Sequence, residues 1–178
     1  MNRTDSIVLG AGCFWCVEAI FLKVKGVISV VPGYAGGTIS NPTYREVCDG
    51  ITGHAEVVKI EFIVDQIDIA ELFAVFFATH DPTTLNRQGG DTGTQYRSVI
   101  FPSNTQQRFL AEKALDIVSK SEEWSGDIVT TIESLDEFFL AEDNHHNYFE
   151  QNEGAPYCNA VIAPKLQKFK KRFQNLLK

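Results

Sequence analysis

The sequence predicts an α+β fold: a two-layer sandwich of the ferredoxin-like split βαβ type, with a C-terminal extension and a final helix. Its first six main segments are expected in the order strand, helix, strand, strand, helix, strand, which is the order of that fold. Apolar residues recur at every second position in the predicted strands and about every 3.6 residues in the predicted helices. The length of 178 residues suits one domain, residues 1–178, with a substantial core.

Composition disfavours several classes of function. The chain is 44% hydrophobic and 22% charged, as globular proteins commonly are. Its net charge of -7 argues against nucleic acid as the main partner, because phosphate binding needs clustered lysines and arginines. No apolar stretch reaches the length that spans a bilayer, and the first residues lack the apolar core of a signal peptide. We therefore expect a cytoplasmic protein with no nucleic-acid or membrane partner.

The first strand and helix place a thiol at their junction. The apolar run 7–9 indicates a short buried strand, and the glycines that follow allow a sharp turn into an amphipathic helix with Gly26 as its C-cap. Cys13 then lies at the helix N-terminus, where unpaired N–H groups and the helix dipole lower the pKa of a thiol. Cys16 lies one turn further on the same face, close enough for a disulfide.

Two other interpretations of this cysteine pair are open. Either thiol could be a small buried hydrophobe, or the pair could be half of a zinc site. Zinc is disfavoured because no second CxxC pair is present, and because His145 and His146 are adjacent rather than four residues apart.

The third strand, predicted over 53–64, carries a candidate acid. Val58 and Ile60 share its apolar face, while Lys59 lies on the other. Glu56 has the parity of the apolar face, so we expect burial to raise its pKa and let it hold a proton near neutral pH. The alternative is that Glu56 lies beyond the sheet edge in water, or pairs with a nearby cation.

Caps and breakers delimit the remaining elements. A second strand over 27–31 precedes a glycine-rich segment that lacks the Lys-Ser/Thr ending of a phosphate loop. Two capping-box patterns, Asp68 with Glu71 and Ser103 with Gln106, predict the next helix starts, and Pro164 suits the first turn of the final helix. The other predicted elements are a polar loop over 82–94 and strands over 95–101 and 128–132. The predicted sheet is antiparallel, with its helices on one face.

Five motifs taken together resemble the A-type peptide methionine sulfoxide reductases, over a match from about Ile7 to Cys158. They lie at 12–15, 33–37, 41–48, 53–56 and 93–98. The resemblance implies thioredoxin-dependent reduction of the S epimer of methionine sulfoxide, free or in proteins, without a metal or organic cofactor. Such an enzyme repairs oxidised proteins.

The resemblance also implies a role for each candidate site residue. Cys13 is the nucleophile and Glu56 the acid that protonates the sulfoxide oxygen. Two phenols, Tyr34 and Tyr96, hydrogen-bond that oxygen. The substrate-binding residues are Phe14 and Trp15, which hold the methyl group, with Asp91 and His145. For both Phe14 and Trp15 the alternative is packing in the helix core.

The resolving thiol, which converts the Cys13 sulfenic acid to a disulfide, has two candidates. Cys158 matches a C-terminal position that resolves the sulfenic acid in many family members. However, the glycine-rich flank often seen after that position is replaced by 159–165, which looks ordered and leads into a helix. Reduced mobility favours Cys16, and Cys48 is interpreted as structural.

Two rival functions are weighed against the reductase. The first is a thioredoxin-like disulfide oxidoreductase using the Cys13/Cys16 pair, which the intervening Phe14-Trp15 and the element order disfavour. The second is an aromatic-cage binding module built from Phe14, Trp15, Tyr34 and Tyr96, which has no use for the thiol. Neither accounts for Glu56 and the other motifs together.

Overall fold

The computed structural model describes all 178 residues. Its eight strands are β1 Thr4–Ala11, β2 Val27–Ala35, β3 Ala55–Ile63, β4 Arg87–Gln88, β5 Asp91–Thr92, β6 Ser98–Phe101, β7 Thr131–Ile132 and β8 Phe138–Leu140. Its six α-helices are α1 Phe14–Phe21, α2 Tyr44–Cys48, α3 Ile69–Ala78, α4 Thr105–Lys120, α5 Tyr148–Gln151 and α6 Ala163–Arg172. No helix combines the length and the apolar composition needed to cross a membrane.

The sheet confirms the predicted fold class. Six strands lie in the order β7-β6-β1-β3-β2-β8, and β4 and β5 form a separate hairpin. Strand β3 lies between β1 and β2 and runs antiparallel to both, which is the split βαβ arrangement. The expectation of a wholly antiparallel sheet is wrong, because β7 runs parallel to β6. Helix α4 connects these two strands, and a helical crossover returns the chain in its original direction.

Four predicted boundaries differ from the structure. Helix α1 ends with Leu22 as its C-cap, and Gly26, with φ of +87°, instead lies in the turn that opens β2. Residues 94–96 form a 3₁₀ turn, so the fourth main strand begins only at Ser98. Asn104 rather than Ser103 caps α4, because its side chain accepts the Gln107 amide hydrogen at 2.8 Å. The last predicted strand shortens to Thr131–Ile132.

One large core joins the sheet to the helices. Its buried side chains come from one face of the sheet and from α1, α3, α4 and α6, so the expectation of helices on one face is confirmed. Along β3, Val58 and Ile60 are fully buried and Lys59 is exposed, as alternation predicts. A smaller core on the opposite face includes Val57 and is covered by Leu135 and Phe138. Residues of β3 with even numbers therefore face the helices.

A buried histidine links α3 to β6. The His80 ring contacts the Phe76 carbonyl through Nδ1, and its Nε2 lies 2.8 Å from the Ser98 hydroxyl. The Ser98 and Thr130 hydroxyls are 2.7 Å apart. A neutral ring satisfies this chain by donating from Nδ1 to the carbonyl and accepting at Nε2. Burial lowers the pKa of His80 to about 4, so the ring is neutral in the folded protein at pH 7.

Acidification should destabilise the fold through this residue. His80 binds a proton near pH 6.5 in the unfolded chain but only near pH 4 in the folded chain. The neutral ring therefore stabilises the fold fully above pH 6.5, and this stabilisation is lost as the pH falls towards 4. This difference between the unfolded and folded pKa values corresponds to about 3 kcal/mol of unfolding free energy. We expect urea unfolding of His80→Gln to show a shallower acid loss of stability than the native chain. A His146→Gln control should keep the native slope; equal slopes in all three proteins would show that His80 does not titrate.

Candidate active site

Cys13 occupies the predicted junction between strand and helix. It is the N-cap of α1, with φ of -56° and ψ of 124°, and its carbonyl accepts the Cys16 amide hydrogen at 3.1 Å. Gly12 precedes it with φ of +88°, and a Cβ there would lie 2.7 Å from the Gln88 side chain. Only glycine fits this turn comfortably, and the turn directs Cys13 into a largely closed site where 8% of the residue is exposed.

The thiols behave as a pair rather than as an isolated nucleophile. The expectation that the helix terminus lowers the pKa of Cys13 is wrong, because burial raises it well above its usual value, and the neighbouring Cys16 thiol and Glu56 carboxylate add to this. A hydrogen bond from Cys13 is the main cause that lowers the pKa of Cys16 to about 7. One proton therefore leaves the two thiols near neutral pH, and the remaining proton stays shared between them. All four cysteines are free thiols.

Glu56 is buried as the strand pattern predicts. It lies opposite Tyr34 in the ladder between β2 and β3 and is 1% exposed. Its Oε1 accepts the Phe14 amide hydrogen at 3.1 Å, and its buried Oε2 has no hydrogen-bond partner. Burial raises the pKa of Glu56 to about 8, so the carboxyl group holds a proton at neutral pH. No cation pairs with it, which removes the alternative of a solvated or ion-paired residue.

The two predicted phenols have different surroundings. The Tyr34 hydroxyl donates to Glu142 Oε1 at 2.9 Å, and the residue has no exposed surface. The Tyr34 ring thus packs beside Phe14, and its hydroxyl group is directed to Glu142. Burial, and secondly the nearby Glu56 carboxylate, raise the pKa of Tyr96 above its usual value, which places this phenol beside the acid.

Tyr44 is a candidate that sequence reasoning missed. The same two causes in the same order, burial and then Glu56, raise the pKa of Tyr44. A signal was present, because Thr43 and Glu46 form a capping box that starts α2 at Tyr44 and so fixes its position. The Tyr44 backbone amide also donates to Glu142 Oε2 at 2.9 Å. Tyr34 also adjoins Glu56, which lies opposite it in the ladder, but Glu142 already accepts its hydroxyl hydrogen, so Tyr44 joins Tyr96 as a candidate phenol beside Glu56.

Trp15 is the accessible aromatic of the first turn of α1. Its indole stacks on Tyr148 with centroids 3.7 Å apart and planes 5° apart. Its Nε1 donates to His145 Nδ1 at 3.0 Å, so the buried His145 holds the indole from behind. Phe14 has no exposed surface and packs in the core against Tyr34 and His145, which is the alternative stated for it.

A C-terminal segment, residues 142–158, closes over this site, and we call it the strap. The strap residue Tyr157 donates its hydroxyl hydrogen to Asp91 Oδ2 at 2.8 Å. The same hydroxyl lies 3.8 Å from Cys16 Sγ. The last strap residue, Cys158, is fully buried in one apolar cluster with Cys13 and Cys16. Tyr148 and Tyr157 are further residues that sequence reasoning missed, since nothing local indicates their contacts.

The sequence as a whole matches one known family. Residues 5–177 match the family model described as peptide methionine sulfoxide reductase. The chain belongs to that family. The "Peptide methionine sulfoxide reductase MsrA" of Trichodesmium erythraeum is 50% identical over 169 residues, covering 95% of this chain and 96% of the relative. The resemblance drawn from the five motifs is therefore confirmed.

Two solved structures are similar in fold to this chain. The reduced form of Mxr1 from Saccharomyces cerevisiae has a TM-score of 0.80 at 32% identity, covering 88% of this chain and 90% of that one. Methionine sulfoxide reductase A of Corynebacterium diphtheriae has a TM-score of 0.76 at 36% identity, covering 86% and 78%. The fold of the reductase family thus extends to this chain, and the thioredoxin-like alternative has no support from its element order. No group of three His, Cys, Asp or Glu side chains is arranged to hold a metal ion.

Titration of the thiols should show their pairing. We expect one thiolate of the native chain to form with a pKa near 7, seen as a rise in thiolate ultraviolet absorbance. Cys16→Ala leaves no second thiol to share the proton. Burial, with Glu56, then raises the pKa of Cys13, and its ionisation should move to clearly alkaline pH. A Cys48→Ala control should keep the neutral step. Persistence of that step in Cys16→Ala would contradict the pairing.

Proposed function

We propose that the chain reduces methionine S-sulfoxide, free or in proteins, to methionine, and so repairs oxidised proteins. The observation that carries the proposal is the buried, protonated Glu56 carboxyl group, bonded to the Phe14 amide directly after Cys13. Sulfoxide reduction needs a nucleophilic sulfur and an acid for the oxygen, and these two groups adjoin. The choice of the S epimer rests on family membership.

The chemistry follows from the two groups. The Cys13 thiolate attacks the substrate sulfur while Glu56 protonates the sulfoxide oxygen. The oxygen ends on the Cys13 sulfur as a sulfenic acid, and methionine leaves, so the substrate gains the two electrons that Cys13 loses. Tyr44 and Tyr96 donate hydrogen bonds to the same oxygen, because their raised pKa values keep both phenols protonated.

Cys16 is the resolving thiol of this proposal. Its thiol attacks the Cys13 sulfenic sulfur, the S–O bond breaks as a disulfide forms, and the thiol proton leaves with the hydroxyl group as water. Cys16 lies within the first turn of α1, in one buried cluster with Cys13, whereas burial raises the pKa of the alternative thiol, Cys158. Thioredoxin then reduces the disulfide by exchange and is the proposed partner. No metal or organic cofactor takes part.

The substrate side of the site is built around Trp15. The substrate methyl group lies against the indole, which His145 orients through its Nδ1. Asp91, held by Tyr157, accepts hydrogen bonds from the substrate backbone. Phe14 packs behind this surface, and Tyr34 hydrogen-bonds Glu142. Both residues therefore support the site without contacting the substrate.

Replacing the acid should change both rate and pH profile. We expect Glu56→Gln to lower single-turnover methionine formation by about 10²- to 10⁴-fold, the usual contribution of a general acid. The native rate should rise near pH 7, as the thiol pair ionises, and fall above pH 8 as Glu56 loses its proton. The variant should lose the alkaline fall, while a Glu61→Gln control on the same strand keeps it. An alkaline fall that survives in Glu56→Gln would remove this role.

The resolving thiol can be identified by separating chemistry from recycling. Cys13→Ser should abolish the first turnover. Cys16→Ser should keep a single turnover, with its rate shifted to more alkaline pH, but stop cycling driven by thioredoxin. Cys158→Ser and a Cys48→Ser control should retain both. Peptide mass spectrometry of the substrate-oxidised native chain, digested without reductant, should find Cys13 linked to Cys16. Linkage of Cys13 to Cys158 alone would reject the assignment.

A further inference from the structure

Glu18 is a buried carboxylate that the proposed chemistry does not use. It lies on α1, one turn beyond Trp15, and is 3% exposed. No lysine, arginine or histidine forms a salt bridge with it. A buried carboxylate is costly unless hydrogen bonds satisfy it, so its partners indicate what it is for.

Both partners of Glu18 are backbone amides of the strap. Its Oε2 accepts the Asn147 amide hydrogen at 3.0 Å, and its Oε1 accepts that of Tyr148 at 3.3 Å. Asn147 has φ of +53°, a left-handed conformation that non-glycine residues rarely adopt. The carboxylate thus fixes the strap at its one left-handed non-glycine residue, where the chain turns.

The fixed point lies directly beside Trp15. Residues three apart on a helix are neighbours, so Trp15 and Glu18 face the same part of the strap. Glu18 bonds the Tyr148 amide, and Trp15 stacks on the Tyr148 ring. His145, also on the strap, accepts the indole N–H. The closest stacking contact of the indole and its hydrogen bond therefore both involve the segment that Glu18 anchors.

We propose that Glu18 is a positioning residue that holds the strap, and through Tyr148 and His145 the Trp15 indole, in place for substrate binding. The proposal rests on the proposed role of Trp15 in holding the substrate methyl group. An indole that is already immobile loses less conformational entropy when substrate binds, so the anchor acts on affinity. Glu18 touches neither the reacting sulfur nor the oxygen, and it leaves the chemical step unchanged.

The test combines kinetics with a direct probe of Trp15. The chain has two tryptophans, and Trp124 can be replaced by phenylalanine without losing a hydrogen bond, since its Nε1 has no partner. In this Trp124→Phe background the emission comes from Trp15 alone. Glu18→Gln keeps the side-chain volume but presents an N–H to one of the two strap amides, so one bond is lost.

We expect Glu18→Gln to raise KM for methionine sulfoxide by about threefold to tenfold, the factor for one immobilised side chain. Its kcat should stay within about twofold of the native value, and acrylamide should quench Trp15 more readily. Glu153→Gln is the control, because this exposed strap carboxylate forms no side-chain hydrogen bond or salt bridge. It should match the native chain in both measurements.

An unchanged or lowered KM in a folded Glu18→Gln variant would overturn the proposal, whichever way quenching moves. A loss of kcat equal to the rise in KM would also overturn it, because it would place Glu18 in the chemical step. Absence of sulfoxide turnover by the native chain would refute the proposed function instead. Quenching of Trp15 would then still decide whether Glu18 holds the indole.

Discussion

The site depends on the hydrogen bond between the Phe14 amide and the Glu56 carboxyl group. The first amides of a helix have no partner within it and require an acceptor. Here the acceptor comes from β3, so one bond of 3.1 Å joins the start of α1 to the middle of the sheet. Because Cys13 immediately precedes Phe14, the bond that satisfies the helix also sets the distance between thiol and acid.

Burial has opposite consequences for the two groups that the bond brings together. A low-polarity site keeps Glu56 protonated, as an acid must be, but it would also keep Cys13 protonated, which would make it a poor nucleophile. The second thiol eases this conflict for the pair as a whole, since a thiolate on Cys16 accepts a hydrogen bond from Cys13 and the remaining proton is shared between the two sulfurs. Protonation of Glu56 helps as well, because a neutral carboxyl group no longer repels the developing thiolate.

Local patterns predicted the parts of the site that local physics determines. Glycines before Cys13 and alternation along β3 were enough to place the thiol at a helix start and Glu56 among buried side chains. The phenols could not be assigned in this way, because the Tyr34 hydroxyl is bound by Glu142, which is 108 residues away. Trp15 and His145 are 130 residues apart. Such contacts depend on where the strap folds back, and no period or cap in the sequence records that.

The position of Cys158 bears on why a CxxC pair suits this chain. Cys158 begins a π-helical turn, 158–162, that continues without a break into α6, whose Leu166 and Phe169 are buried in the main core. Moving Cys158 towards Cys13 would disturb that turn and the packing beyond it. Cys16 requires no such movement, because it already lies on the neighbouring turn of α1. This packing supports the proposed assignment of Cys16, rather than Cys158, as the resolving thiol.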